Sequence, residues 1–163
     1  MRKLFILFCL FPLVTKSQSV IGKWKIVAIN NGVYFSYKDS ASTINQFLNS
    51  LKGKKDSSES AAVFMRTIAL YKDYSISFYK DGTYKEIQGG ITKGATSEVM
   101  EFNGIYDVNL AHNYLELSMK NKKRHVVYSL DFIPKGIKLY YTAMGLISRN
   151  ENSDIILTLE KSQ

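Results

Sequence analysis

Short segments in which every second residue is apolar run through most of this chain. Such alternation is typical of strands that bury one face and expose the other. The segments begin near Trp24, Tyr74, Thr83, Met100, Leu115, Val126, Ile137 and Ile155. Tight turns such as Asp81-Gly82 connect most of them, so sequential strands pair antiparallel. We therefore predict an all-β fold, an eight-stranded antiparallel up-and-down (meander) barrel, with two stacked sheets as the other outcome of such a pattern.

The sequence makes a specific prediction for two of these strands. In the first strand the alternation places Trp24, Ile26 and Ala28 on one face and Ile29 on the other. In the fourth strand Gly104 interrupts an apolar face, which predicts a bulge or a bend where the sheet coils.

The apolar period changes from two to the helical value between residues 40 and 72. Two stripes with helical spacing are present, Ile44, Phe47, Leu48 and Leu51 followed by Ala61, Phe64, Met65 and Ile68. Ser42 or Thr43 can cap the first helix, and Asp56 with Glu59 resembles a capping box for the second. The pattern predicts a helix-turn-helix insertion between the first and second strands.

Both predicted helices have an apolar face that needs a surface to cover. The insertion therefore acts as a plug closing one end of the barrel, as a movable lid over a ligand entrance, or as a surface for a protein partner. The lid candidates are Phe47, Phe64 and Met65.

The first 17 residues resemble a secretory signal peptide. A basic start at Arg2 and Lys3 precedes an apolar run from Leu4 to Val14, which is too short to span a bilayer. We expect cleavage near Ser17 and export to the periplasm or the extracellular space, with residues 18–163 as one barrel domain. The single cysteine, Cys9, lies in the leader, so we expect no disulfide in the mature chain. We also expect no transmembrane segment in the mature chain.

The charge of the chain is moderately basic. The formal net charge is +8, and removal of Arg2, Lys3 and Lys16 leaves 19 basic and 14 acidic residues, a net charge of +5. The basic run formed by Lys120, Lys122, Lys123 and Arg124 is a solvated hairpin turn or a contact with an anionic envelope surface. No aromatic residue interleaves it, so we expect no nucleic-acid partner.

No motif for catalysis or metal binding is present. His112 and His125 are the only histidines, and neither has a metal-ligand spacing or a nucleophile motif around it. We therefore expect no enzyme, no metal and no cofactor. An enzyme on this barrel would need Glu86, Glu116 or His125 to face inward beside a tyrosine.

Four short sequences resemble lipocalin-like proteins of the calycin superfamily, of the small secreted bacterial type. They are Gly22-Lys23-Trp24, the run from Phe78 to Tyr84, Gly104-Ile105-Tyr106-Asp107 and Tyr114-Leu115-Glu116-Leu117. The resemblance implies a meander barrel with an internal pocket, closed at its base by Gly22 and Trp24. It also implies a cation over the Trp24 ring, for which Arg149 is the candidate. The helical insertion is similar in position to the lid of fatty-acid-binding proteins.

A lipocalin-like barrel of this kind would hold a small hydrophobic or amphipathic ligand in its lumen. The candidate lumen residues are Trp24, Phe78, Phe102, Tyr106, Tyr128 and Tyr141. Tyrosine hydroxyl groups among apolar walls suit amphipathic ligands. The alternative is a packed interior without a ligand, in an envelope interaction or structural module. We expect a monomer in either case.

Overall fold

The structure, a computed structural model, describes residues 18–89, 92–93, 96–97, 99–119, 125–141 and 155–162. The leader (1–17), the basic run from Lys120 to Arg124 and Arg149 lie outside the described residues. Two helices are described, α1 (Ser40–Leu51) and α2 (Ser57–Tyr71). The strands are β1 (Gly22–Asn30), β2 (Tyr34–Ser36), β3 (Ser75–Phe78), β4 (Thr83–Gln88), β5 (Thr92–Lys93), β6 (Thr96–Ser97), β7 (Met100–Asn109), β8 (Tyr114–Met119), β9 (His125–Ile133), β10 (Gly136–Tyr141) and β11 (Ile155–Lys161).

Eight strands form a closed antiparallel barrel, as the alternation predicts. The hydrogen-bonded order is β1, β3, β4, β7, β8, β9, β10 and β11, and β11 pairs with β1 to close the ring. The helices follow β1 and precede β3, which confirms an insertion between the first two barrel strands. The short strand β2 pairs with β1 outside the ring, and β5 pairs with β6 in a separate hairpin.

The barrel has two ends, which the strand register distinguishes. We call the end where β1 begins the base, because Gly22 pairs there with Phe78 and Trp24 pairs with Lys161. We call the opposite end the mouth, where Asn30 pairs with Ile156. Both helices lie at the mouth, since they connect the end of β1 to the start of β3.

The inward faces of the barrel strands form one continuous apolar core. Its fully buried members include Ile76, Leu115, Ile137, Leu139 and Leu159. Residues two apart on one strand share a face, which is why the alternating apolar positions of different strands meet inside. Burial of this apolar surface is the main stabilising contribution to the barrel.

A β-bulge in β1 overturns the predicted faces of that strand. The pairing with β11 shifts between Ile26 and Ala28, so one extra residue of β1 is accommodated there. An extra residue inverts the alternation beyond it. Ile29, opposite Leu157, therefore belongs to the core cluster, whereas Ala28 was expected on the core face and lies outside that cluster.

Gly104 is not a bulge, because its pairing with Tyr84 and with Met119 continues without a shift. It is instead a place where neighbouring atoms approach closely. A Cβ at Gly104 would overlap the carbonyl group of Ser118 and lie 2.8 Å from the Tyr84 ring.

The helical pair is fixed to the barrel through α2. Phe64 and Ile68 belong to the buried core cluster, and the Phe35 ring contacts the Phe64 ring edge-on at 6.0 Å. The Tyr37 hydroxyl, in the segment before α1, donates a hydrogen bond to the carbonyl oxygen of Ile68 at 3.0 Å. Burial, then the nearby charges of Tyr71 and Asp73, raise the pKa of Tyr37 above its usual value.

Of the predicted helix caps, only the position of Asp56 is confirmed. Helix α1 begins at Ser40, after Asp39, rather than at Ser42 or Thr43. Asp56 precedes α2 as expected, but it makes no capping hydrogen bond with its side chain. Glu59 therefore does not complete a capping box.

We predict that Gly104→Ala destabilises the barrel by about 1–3 kcal/mol, because the added methyl group overpacks against the Ser118 backbone and the Tyr84 ring. Asn103→Ala is the control, since Asn103 is exposed on the same strand and should change stability by less than about 0.5 kcal/mol. Urea unfolding of both variants measures the difference. If the two variants are equally stable, the close approach of the Ser118 backbone and the Tyr84 ring to Gly104 is contradicted.

We predict that Tyr37→Phe costs roughly 1 kcal/mol at neutral pH through loss of the bond to Ile68. Because the folded-state pKa of Tyr37 is raised above 10.0, the stability that its protonated hydroxyl contributes is present below pH 10.0 and is lost as the pH rises beyond it. The wild-type chain should therefore lose more stability than Tyr37→Phe between about pH 8 and about pH 11. Urea unfolding at both pH values measures this loss.

Tyr34→Phe is the matched control for this comparison, because Tyr34 is an exposed tyrosine on β2. It should retain the pH dependence of the wild-type chain. The same pH dependence in all three proteins would contradict the assigned role of Tyr37.

Candidate functional site

A cavity of about 420 Å³ lies between the helical pair and the end of β1. We call it the helix pocket. Its apolar lining residues are Ile29, Val33, Phe47, Leu51, Val63, Phe64 and Ile68. Its polar lining residues are Asn31, Glu59, Ser60 and Thr67. Cavities of a few hundred cubic ångströms with mostly apolar walls are the usual form of small-molecule sites.

Aromatic contacts form one wall of the helix pocket. The Phe47 ring of α1 packs on the Phe64 ring of α2 with centroids 3.9 Å apart. Phe64 is buried and reaches the barrel core, whereas Phe47 is only partly buried. This pair therefore joins the two helices to each other and to the mouth of the barrel.

Polar groups lie at the outer side of the helix pocket. Asn31, Glu59 and Ser60 are exposed to solvent. Thr67 is partly buried, and its hydroxyl donates a hydrogen bond to the Val63 carbonyl oxygen at 3.0 Å. A molecule in the pocket would meet buried carbon atoms at one end and wetted polar groups at the other.

The three lid candidates do not share one position. Phe47 and Phe64 line the helix pocket. Met65 does not line it and is 43% exposed, because the buried face of α2 is centred on Phe64 and Ile68. The expectation that Met65 belongs to the buried stripe is therefore wrong.

Three of the six lumen candidates lie at the base. Trp24 and Phe78 are almost fully buried, and the Phe78 and Tyr106 rings are 4.9 Å apart. The Trp24 indole nitrogen donates a hydrogen bond to the Val20 carbonyl oxygen at 2.6 Å. The Tyr106 hydroxyl donates to the Tyr79 carbonyl oxygen at 2.8 Å. These contacts seal the base of the barrel with packed side chains.

The other three lumen candidates lie towards the mouth. The Tyr128 and Tyr141 rings have centroids 5.9 Å apart, and Phe102 pairs with Glu86 across β7 and β4. The structure therefore divides the six residues into a base group and a mouth group.

A lysine lies over the Trp24 ring. The Lys161 ammonium group is 5.6 Å from the ring centroid, within the range of a cation–π contact. Gly22, with φ of +130°, leaves the space that this lysine fills, since a Cβ there would lie 2.6 Å from Lys161 Cε. The candidate that the resemblance implied for this contact, Arg149, lies outside the described residues.

Glu86 is a buried carboxylate that sequence reasoning gave little weight. It is 3% exposed, and the Gln88 amide donates a hydrogen bond to it at 2.8 Å. Burial, then the charge of Glu86, raise the pKa of the Tyr74 hydroxyl well above its usual range. The signal in the sequence was the alternation of Tyr84, Glu86 and Gln88, which places the two polar residues on the inward face of β4.

The position of Glu86 meets the condition set for an enzyme on this barrel, a carboxylate facing inward beside a tyrosine. The other two named candidates do not, because Glu116 and His125 face each other at 3.4 Å with both side chains partly exposed.

Among the described residues, no three histidine, cysteine or acidic side chains converge to hold a metal ion. None of the described helices has both the length and the apolar character needed to cross a membrane.

Comparison with known proteins adds little to this geometry. No family model matches the sequence, and no curated protein matches it either. Among solved structures, the chain is similar to a DUF4847 family protein from Bacteroides vulgatus. The sequence identity is 10% and the TM-score is 0.46, over 87% of this chain and 94% of that chain. A likeness at this level bears on neither ligand nor activity.

Proposed function

We propose that this protein is an exported, lipocalin-like binding protein that holds a small hydrophobic or amphipathic molecule in the helix pocket. The observation that supports the proposal is the cavity of about 420 Å³ with buried apolar walls and an exposed polar side. The bound molecule is held by apolar burial, and no covalent bond is made or broken.

The size of the pocket gives an expected affinity. Burial of about 300 Å² of apolar ligand surface contributes on the order of 7 kcal/mol. Loss of translational freedom and ordering of side chains offset part of this. We therefore expect a Kd between about 10 μM and about 1 mM.

The barrel lumen is the second candidate location for the same type of ligand. The mouth group of Phe102, Tyr128 and Tyr141 lies at the end of the barrel that the helices cover. Glu86 adds a buried polar group near it. A ligand in the lumen would enter beneath the helical pair, which is how a lipocalin-like lid would act.

We predict that the uncharged dye Nile red binds the wild-type chain with saturation at one site, and that Val63→Trp weakens this binding at least about tenfold. Val63 lines the pocket and is 54% exposed, so a larger side chain there occupies the opening without disturbing the core. Fluorescence titration of the purified mature protein measures the Kd.

Met65→Trp is the matched control, because Met65 lies on the same helix, is similarly exposed and does not line the pocket. It should bind the dye as the wild-type chain does. Saturable binding that Val63→Trp leaves intact and Phe102→Trp removes would place the ligand in the lumen instead. Absence of saturable binding would favour the envelope interaction module.

A further inference from the structure

We propose that the helix pocket selects amphipathic ligands with a positively charged head group, such as alkylamines, and disfavours ligands with a carboxylate or phosphate head group. This inference rests on the proposed function, since it specifies which ligand the pocket takes. The juxtaposition that carries it is an apolar cavity with Glu59 at its polar side and no lysine or arginine among the described lining residues.

Glu59 is available for a ligand. Its sequence position suggested a capping role, yet the start of α2 has no side-chain capping bond. The ion pairs found among the described residues include Lys38 with Glu160 and Lys85 with Glu101, and none of them involves Glu59. Its carboxylate therefore contributes a negative charge to the pocket that no described cation neutralises directly.

Lys52, the positive charge at the end of α1, does not line the helix pocket. Lys52 follows α1 and lines a second cavity of about 220 Å³, which shares only Leu51 with the helix pocket. The chain carries a formal net charge of +8, but charges farther than about 8 Å away are largely screened at physiological salt. The sign of the charge that lines the pocket therefore outweighs the sign of the whole chain.

The helix dipole of α2 opposes this preference, but its partial positive charge is smaller than the negative charge of Glu59. The first turn of a helix carries about half a positive charge, and Glu59 lies in the first turn of α2 with a full negative charge. The sum of these two charges at the polar side of the pocket is therefore negative. An anionic head group would also face Glu59 directly, with repulsion in a partly exposed site.

The apolar end of the ligand has a defined location. Phe64 and Ile68 form the buried side of the pocket with the partly buried Phe47, so an alkyl chain lies against them while its head group remains near Glu59. The ligand class is therefore a single-chain amphiphile with an amine at one end.

We predict that dodecylamine displaces Nile red from the wild-type chain at least about tenfold more effectively than dodecanoate at low salt, with dodecanol between them. The three compounds share one alkyl chain and differ in the charge of the head group, and each is used below its critical micelle concentration. Because Glu59 is exposed, the difference should shrink as salt is added.

Glu59→Gln should reduce the difference between amine and carboxylate to less than about threefold while leaving dodecanol unchanged. Glu101→Gln is the matched control, because it removes the same charge from an exposed residue of β7 that does not line the pocket. It should keep the preference of the wild-type chain.

The possible results separate this inference from the proposed function. Equal displacement by the three compounds, stronger displacement by dodecanoate, or a preference that survives Glu59→Gln would overturn the inference while the pocket remains a binding site. If Val63→Trp binds the dye normally, the ligand does not occupy the helix pocket. If the wild-type chain shows no saturable dye binding, the proposed function itself is wrong.

Discussion

The pairing of β1 with β11 is the interaction on which the rest of the structure depends. Six residue pairs, from Trp24 opposite Lys161 to Asn30 opposite Ile156, join the first and last strands. The Ser162 amide extends the contact by donating to the Lys23 carbonyl oxygen at 2.8 Å. Closure removes the two free edges that an open meander would expose to other chains. It also converts the apolar faces of the strands into a single enclosed core.

Closure gives the two ends of the barrel different properties. At the base, the Phe78 ring packs on the Tyr106 ring, and Lys161 lies over the buried Trp24 indole ring. At the mouth, the strands connect to a helical pair that contacts the core through Phe64 and Ile68. The helix pocket lies between this helical pair and the end of β1. The cavity therefore lies at the mouth of the barrel, where the helices meet the first strand.

The sequence predicts the barrel well because alternation and tight turns are local signals. The eight strands, their meander order and the helical insertion follow from apolar periods that tertiary contacts do not override. The bulge in β1 could not be predicted in this way, since Val27, Ala28 and Ile29 are all apolar and either face could be the inner one. The role of Glu59 could not be predicted either: its spacing from Asp56 matches a capping box, but no side-chain capping hydrogen bond forms at the start of α2.

The candidate site was only partly predictable. Phe47 and Phe64 were identified from helical spacing, whereas Asn31 and Val33 lie in a turn and carry no periodic signal. The cavity between the helices and β1 depends on how three elements dock, which no local pattern encodes. Native mass spectrometry of the purified protein, followed by organic extraction, tests the central claim most directly. The account predicts one bound amphiphile per chain that extraction releases. A clean mass of the unliganded chain that remains unchanged after incubation with amines, alcohols and fatty acids would contradict it.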